Sequence, residues 1–325
     1  MAGSQSHWEY LGLPALVLSP LSLLYAAGWY SYSLPFKFGW KKSAKPHDKI
    51  ICVGSLLAGG AGKTPFTLHL TDVLTNAGLK VAISISGYRS QHRKGATLAP
   101  DGPLDAAEWG DETALFRWMR PGHPIVVGKD RVEAARIIHE KFPDHVMLMD
   151  DGFQHLELEK DLTIVLDPPN LRNRFMIPAG GYREPWTPGR NRAGAVLPNE
   201  SFQIYQMPIV WMDMSGKEVP SPPEATLLCA IGRPERFRYT AEAQGVKVVD
   251  GRFLADHDPL DQPDLFNLFD ANLPIITTSK DWVKLMRRND LAGRNILIAK
   301  HEIKVEPANV FQKLLVSNIL DKGDA

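Results

Sequence analysis

Residues 49–65 read KIICVGSLLAGGAGKTP. A short β-branched run closes on Gly54 and Ser55, and a turn, Gly59-Gly60-Ala61-Gly62, leads through Lys63 and Thr64 into a segment with helical spacing. Strand, glycine-rich loop and helix, in that order, form the context a phosphate-binding loop requires. Glycines let successive backbone N–H groups curl toward phosphate oxygens, and the start of a helix adds a favourable partial charge. Lys63 has the reach for β- and γ-phosphates, Thr64 offers a hydroxyl to Mg²⁺, and Pro65 falls where a missing N–H costs little. Leu57, Ala58, Gly59, Gly60, Ala61, Gly62, Lys63 and Thr64 are therefore the candidate nucleotide cradle. The common pattern G-x-x-x-x-G-K-[ST] has glycine where Leu57 stands, but the intact G-K-T and the strand–loop–helix context outweigh that.

Around the loop, strands and helices alternate. The helix over 64–76 carries Phe66, Leu70, Val73 and Leu74 on one face and stops at Gly78. Strands are expected at 80–86, 124–127, 145–151 and 161–166, helices at 111–120 and 131–141, and a polar loop over 90–108. This predicts an α/β, P-loop NTPase-like fold, a mostly parallel sheet covered by helices. The run VMLMDD at 146–151 ends in two carboxylates at the carboxyl edge of that sheet, where a nucleoside triphosphatase holds its magnesium. Adjacent strand residues point to opposite faces, so Asp150 and Asp151 need not share one role. Residues 168–224 hold many prolines and few periodic runs, and from 225 the alternation resumes. The expected organisation is an apolar segment at 1–45, a nucleotide-binding domain at 46–200, a linker or small β element at 201–224, and a second, smaller α/β domain at 225–325.

The N-terminus is membrane-seeking. From Tyr10 to Phe36 there is no charged residue, aromatic side chains cluster at Tyr25, Trp29, Tyr30 and Tyr32, and Lys37, Lys41, Lys42, Lys45 and Lys49 follow. Such a stretch has the length to span a bilayer. Pro14, Pro20 and its serines argue against a straight, strongly apolar span, and favour an interfacial or re-entrant helix. A single span with the lysines inside, or a helix docked on the protein's own core, remain alternatives. A cleaved signal peptide is disfavoured by the absence of a basic leader.

Composition excludes other classes. With 44% apolar and 23% charged residues the chain is globular. Lys+Arg and Asp+Glu both count 37, against a strongly basic nucleic-acid binder. Cys52 and Cys229 form no C-x-x-C pair, so no zinc site or disulfide framework is indicated.

The motifs VGSLLAGGAGKTP (53–65), GDE (110–112), KDR (129–131), MDDGFQH (149–155), PAGGYREP (178–185), GRPERF (232–237), the pair Asp256-His257 and TTSKDWVKL (277–285) together resemble the tetraacyldisaccharide 4′-kinases, the lipid A 4′-kinases of Gram-negative bacteria. The family's loop also lacks the glycine at the position of Leu57. The resemblance implies transfer of the γ-phosphate of ATP, with Mg²⁺, to the 4′-hydroxyl of a tetraacylated glucosamine disaccharide 1-phosphate, giving lipid IVA in lipopolysaccharide biosynthesis. It implies a phosphotransferase with an alcohol acceptor, working peripherally or monotopically at the cytoplasmic face of the bacterial inner membrane, with no nucleic acid and no obligatory protein partner. It assigns Asp111 as general base and His257 as its partner. Glu112, with Thr64, Asp150 and Asp151, falls at the metal, and Arg131, His155, Arg183 and Glu184 fall near nucleotide or substrate. Two positions depart from the family pattern: Asp258 stands where a second histidine is usual, and Ser279 replaces the glutamate of T-E-K-D.

The competing reading is a membrane-associated P-loop switch ATPase. Such loops usually carry an extra lysine just before the glycine pair, where this chain has Ala58. A metal-delivery GTPase would call for a Cys/His cluster and an N-K-x-D motif, and neither is present.

Overall fold

The apolar runs become strands buried along their length, as helices on both faces of a parallel sheet require. The computed structural model describes residues 12–168 and 173–320. The first sheet holds Ile50–Ser55 (β1), Val81–Ile85 (β2), Thr97–Leu98 (β3), Ile125–Val127 (β4), Val146–Asp150 (β5), Leu162–Leu166 (β6) and Ala195–Leu197 (β7). Their order is β3-β4-β2-β5-β1-β6-β7, and all neighbours are parallel except β3 against β4. Because β1 lies between β5 and β6, the loops leaving these three strands share one edge. The register Val53↔Asp150 sets the phosphate loop beside the carboxylates.

The chain continues through Gln203–Gln206 (β8), Val210–Met212 (β9), Glu218–Val219 (β10), Glu224–Cys229 (β11), Lys247–Phe253 (β12), Ile275–Thr278 (β13), Ile296–Lys300 (β14) and Ile303–Glu306 (β15). Six of these form a second sheet, β10-β9-β14-β13-β11-β12, and β8 pairs antiparallel with β15 where the chain leaves and re-enters the first body. The helices are Leu13–Lys37 (α1), Lys63–Asn76 (α2), Ala106–Trp109 (α3), Asp111–Met119 (α4), Arg131–Lys141 (α5), Trp186–Arg192 (α6), Pro234–Ala243 (α7), Ser279–Leu285 (α8) and Ala308–Leu320 (α9).

Several elements differ from the sequence expectation. The stretch 90–108 contains β3 and α3 rather than only loop. The proline-rich stretch after 168 supplies α6 and β7 to the first body and β9 and β10 to the second sheet. These strands are two or three residues long, too short to show a period. Helix α9 carries Phe311, Leu315 and Ile319, one stripe at i, i+4, i+8, into the core around Phe66 and Phe202 of the first body. The tail of the stretch expected as a C-terminal domain thus crosses back.

Helix α1 is continuous through Pro20 and Pro35, against the expectation of an interruption. A proline at 20 leaves the carbonyl of Leu16 without its intrahelical partner. The Ser19 hydroxyl donates to that carbonyl at 2.8 Å, and Pro14 sits in the first turn where no N–H is needed. A stripe of small residues, Ala15, Ser22 and Ala26, is buried against the first body, while Leu13, Leu16, Val17, Leu21, Leu23 and Leu24 are exposed. Two anchors fasten the helix. Ser22 Oγ donates to Met176 O at 2.6 Å and accepts from Ala179 N at 3.1 Å. Tyr32 Oη donates to Glu157 Oε2 at 2.8 Å and accepts from Leu156 N at 3.2 Å. By length and composition alone α1 suffices to cross a membrane. Residues 1–11 of the expected apolar segment lie outside the described residues.

Candidate active site

The phosphate loop leaves β1 and enters α2 through glycines at positive φ: Gly59 at 80°, Gly60 at 67° and Gly62 at 75°. Side chains rarely adopt this region, and the run of left-handed residues turns the loop's N–H groups into an anion-binding concavity. The loop is braced by the segment after residue 180: Ala58 N donates to Gly181 O at 2.8 Å and Arg183 N to Leu56 O at 2.7 Å. That brace delivers Arg183 to the site. Arg183 Nη1 lies 2.9 and 3.1 Å from the two Asp151 carboxylate oxygens, and Lys63 Nζ lies 3.5 Å from Oδ1. Asp151 itself has φ 52°, a strained position held by these two cations.

Asp150 points the other way, into the sheet. Thr67 Oγ1 donates to it at 2.8 Å and Thr64 Oγ1 lies 3.4 Å from its second oxygen. Arg131, fully buried, donates to the Asp150 carbonyl at 2.7 Å and to Ser84 Oγ at 2.8 Å, so it fixes the backbone from which both aspartates project. Burial first, then the charge of Asp151, pushes the Asp150 carboxyl up. Burial and the charges of Asp150 and Asp151 push Glu112 up to about 7. Two carboxyls raised by burial and by acidic neighbours mark a site short of positive charge, and all three side chains offer hard oxygen ligands. Among the described residues no three His, Cys, Asp or Glu form a ready cage. That fits Mg²⁺, which takes one or two carboxylates and completes its shell with phosphate oxygens and water.

In the same body, Gly110 at φ 83° precedes α4, and a side chain there would stand 2.7 Å from Tyr88 O. The turn presents Asp111 and Glu112 at the start of the helix. His257, from the loop after β12, brings Nδ1 to 2.9 Å from Asp111 Oδ2, across 146 residues of sequence. An ionised carboxylate only accepts, so Nδ1 carries the proton and Nε2 accepts from Lys280 Nζ, 3.2 Å away. Lys284 Nζ stands 3.8 Å from the same Asp111 oxygen and 2.8 Å from Asp281. Both departures from the family pattern point away from this pair. Asp258 Oδ1 accepts from Leu260 N and Gln262 Nε2, and Ser279 Oγ donates to Ala299 O at 2.7 Å, which a carboxylate would not do.

Among the described residues, His155 and Glu184 make no side-chain hydrogen bond to residues 57–64. Burial, with Arg131 and Lys160 nearby, lowers the His155 imidazole to about 4, so it is neutral. Glu184 is buried and clamped: Arg192 Nη2 donates to both its oxygens at 2.8 Å and Gln154 Nε2 to one at 2.9 Å. Arg192 also donates to Phe153 O at 3.0 Å and lies over the Phe153 ring. Arg192, Gln154, Thr67, Lys280 and Lys284 carry structure here that motif reading did not assign. Gln154 lies in MDDGFQH and the two lysines in TTSKDWVKL, so the signal was present there; Arg192 had none. Arg192→Met leaves the Glu184 charge buried without its partner, and is expected to destabilise by about 2–3 kcal/mol and lower Tm by about 5 °C. A thermal melt checks this, and an unchanged Tm contradicts the clamp.

A family model for tetraacyldisaccharide-1-P 4′-kinase matches residues 14–319. The tetraacyldisaccharide 4′-kinase of Verminephrobacter eiseniae is 34% identical over 299 residues, covering 86% of this chain and 68% of that protein. That of Delftia acidovorans is 32% identical over 307 residues, covering 89% and 88%. A crystal structure of LpxK from Aquifex aeolicus in complex with ATP superposes with a TM-score of 0.81 at 26% identity, over 94% of this chain and 99% of that one. The chain belongs to the tetraacyldisaccharide-1-P 4′-kinase family.

Proposed function

We infer that this chain is an ATP-dependent kinase that phosphorylates the 4′-hydroxyl of a tetraacylated glucosamine disaccharide 1-phosphate, giving lipid IVA. The observation that carries the reading is that Asp111, bonded to His257 across the cleft, stands next to Glu112, which feels the charges of Asp150, Asp151 and Lys63 at the phosphate loop. The loop N–H groups and Lys63 hold the β- and γ-phosphates. Thr64, Glu112 and the Asp150–Asp151 pair would hold Mg²⁺, which would supply positive charge against the phosphates. Asp111 accepts the proton of the 4′-hydroxyl as it attacks. Its contacts among the described residues use Oδ2, which leaves Oδ1 for the acceptor. Arg183 offsets charge on the transferring group, and Arg131, Glu184 and His155 hold the loops in place. Residues 46–200 and 225–300 act as two lobes on one cleft.

The acceptor's acyl chains lie in a bilayer, so the enzyme works at its surface. We read α1 as lying in the interface of the inner membrane, on its cytoplasmic face. The small-residue stripe and the Ser22 and Tyr32 anchors keep the helix along the protein, with the leucine face turned outward.

The test uses γ-labelled ATP, Mg²⁺ and the tetraacylated disaccharide 1-phosphate in detergent micelles. Label in the lipid, lost in Lys63→Ala, supports the kinase; free phosphate with unlabelled lipid would indicate a switch ATPase. The metal site adds a pH signature. With Glu112 at about 7, its carboxylate is mostly protonated at pH 6 and mostly ionised at pH 8. Mg²⁺ needs the ionised form, so apparent Mg²⁺ affinity in the presence of ATP is expected to rise about tenfold over that interval. Glu112→Gln is expected to bind more weakly and to lose most of that dependence in a magnesium titration.

A further inference from the structure

Asp167 stands at the carboxyl end of β6, the strand beside the phosphate-loop strand, and the transfer chemistry does not use it. It is buried, and its carboxylate is saturated. Tyr182 Oη donates to Oδ1 at 3.2 Å, while Trp186 Nε1 at 2.9 Å and Arg190 Nη1 at 2.5 Å donate to Oδ2. Arg174 lies over the same indole, 3.6 Å from guanidinium carbon to ring centroid, and Arg190 lies 5.0 Å from it. A cavity of about 190 Å³ opens among these side chains, far above the ~15 Å³ a single water needs.

The charges do not balance. Two guanidinium groups share one ring, and of the two only Arg190 bonds to Asp167. Arg174 makes no ion pair among the described residues. Grouping like charges around one ring is unfavourable unless an anion joins them, and the planar fork of a guanidinium matches phosphate oxygens. The fold ties this cluster to α1. Asn173 closes the turn that carries Arg174, with Nδ2 donating to Ala179 O at 2.9 Å and Phe175 N donating to Oδ1 at 3.0 Å. The same turn is fastened to the apolar helix α1 through Ser22. Arg174 is therefore held on a turn fastened to α1, the helix read above as lying in the membrane interface.

We propose that Arg174, Arg190 and Trp186 form a subsite for the phosphate ester of a lipid lying beside α1, distinct from the nucleotide cradle. Two sources share this chemistry: the acceptor's own 1-phosphate and the headgroup of an anionic phospholipid. Only the first rests on the kinase reading above.

The test compares wild type with Arg174→Gln and Arg174→Lys. Arg190 is left intact, because its removal strands Asp167. Tm and the KM for Mg·ATP are expected to stay at wild-type values. The first arm measures KM for the tetraacylated disaccharide with and without its 1-phosphate, in neutral detergent. The second measures sedimentation with vesicles of phosphatidylcholine, alone or mixed with phosphatidylglycerol. If the acceptor supplies the phosphate, wild type prefers the 1-phosphorylated lipid by about tenfold in KM, Arg174→Gln cuts that to about twofold at constant kcat, and Arg174→Lys keeps part of it. If bulk lipid supplies it, Arg174→Gln loses several-fold of the phosphatidylglycerol-dependent binding and the KM ratio holds. A folded Arg174→Gln protein that behaves as wild type in both arms overturns the subsite. Should wild type phosphorylate neither lipid, the kinase reading falls and the vesicle arm alone decides on the subsite.

Discussion

Asp111→Asn is expected to lower kcat for phosphoryl transfer by about 10³-fold while moving the KM for Mg·ATP less than about threefold. The substitution keeps the shape of the side chain, and an amide oxygen still accepts from His257 Nδ1, so the cross-cleft contact at 2.9 Å survives. What disappears is the acceptor for the hydroxyl proton. His257→Asn is expected to cost less, about 10- to 10²-fold, because Lys284 still stands 3.8 Å from the carboxylate and helix α4 still presents it. In the proposed mechanism His257 orients Asp111, with Lys280 on its far nitrogen favouring the tautomer that donates. Phosphoryl transition states are often loose, with little proton transfer at the barrier, and that sets the upper limit of the effect. Single-turnover quench with bound ATP separates the step from binding. Equal rates for wild type and Asp111→Asn would remove the base assignment.

The parts legible in the sequence are the ones built from neighbours along the chain. The phosphate loop is a local motif whose glycines, lysine and threonine are adjacent, and its strand and helix announce themselves by period. Val146–Asp150 was readable for the same reason. The Asp111–His257 contact joins residues 146 positions apart, and nothing in the spacing of GDE or of the DH pair points from one to the other; only resemblance to a family did. Short edge strands such as Val210–Met212 and Glu218–Val219 gain their identity from pairing, which is a tertiary event. The α1 proline reading failed through one side chain: the Ser19 hydroxyl satisfies the carbonyl that Pro20 leaves open, a compensation that propensity does not contain. Glu184 lies in PAGGYREP, yet its partner Arg192 comes from the end of α6, where no motif marks it.

Lys63→Ala is expected to reduce kcat/KM for ATP by about 10³-fold or more, with most of the loss in the transfer step and about tenfold in nucleotide affinity. The division follows from what remains. The left-handed glycines still aim backbone N–H groups at the phosphates, so ADP binding persists, while the charge that follows the γ-phosphoryl group is gone. Lys63 is 3.5 Å from Asp151, and Arg183 holds the same carboxylate at 2.9 Å. If bound phosphate competes for Lys63, Arg183 is the cation left to compensate Asp151. Removing Arg183 makes Lys63 the one cation on Asp151 among these contacts, so Arg183→Ala is expected to raise the KM for ATP several-fold besides lowering kcat. Lys63→Arg should not rescue the alanine variant, because a planar fork does not replace a compact ammonium in a loop shaped around it. Calorimetry with ADP and single-turnover transfer with ATP read the two effects separately. Transfer by Lys63→Ala within tenfold of wild type would mean that the loop's backbone alone carries the phosphate, and the cradle would have to be reassigned without its lysine.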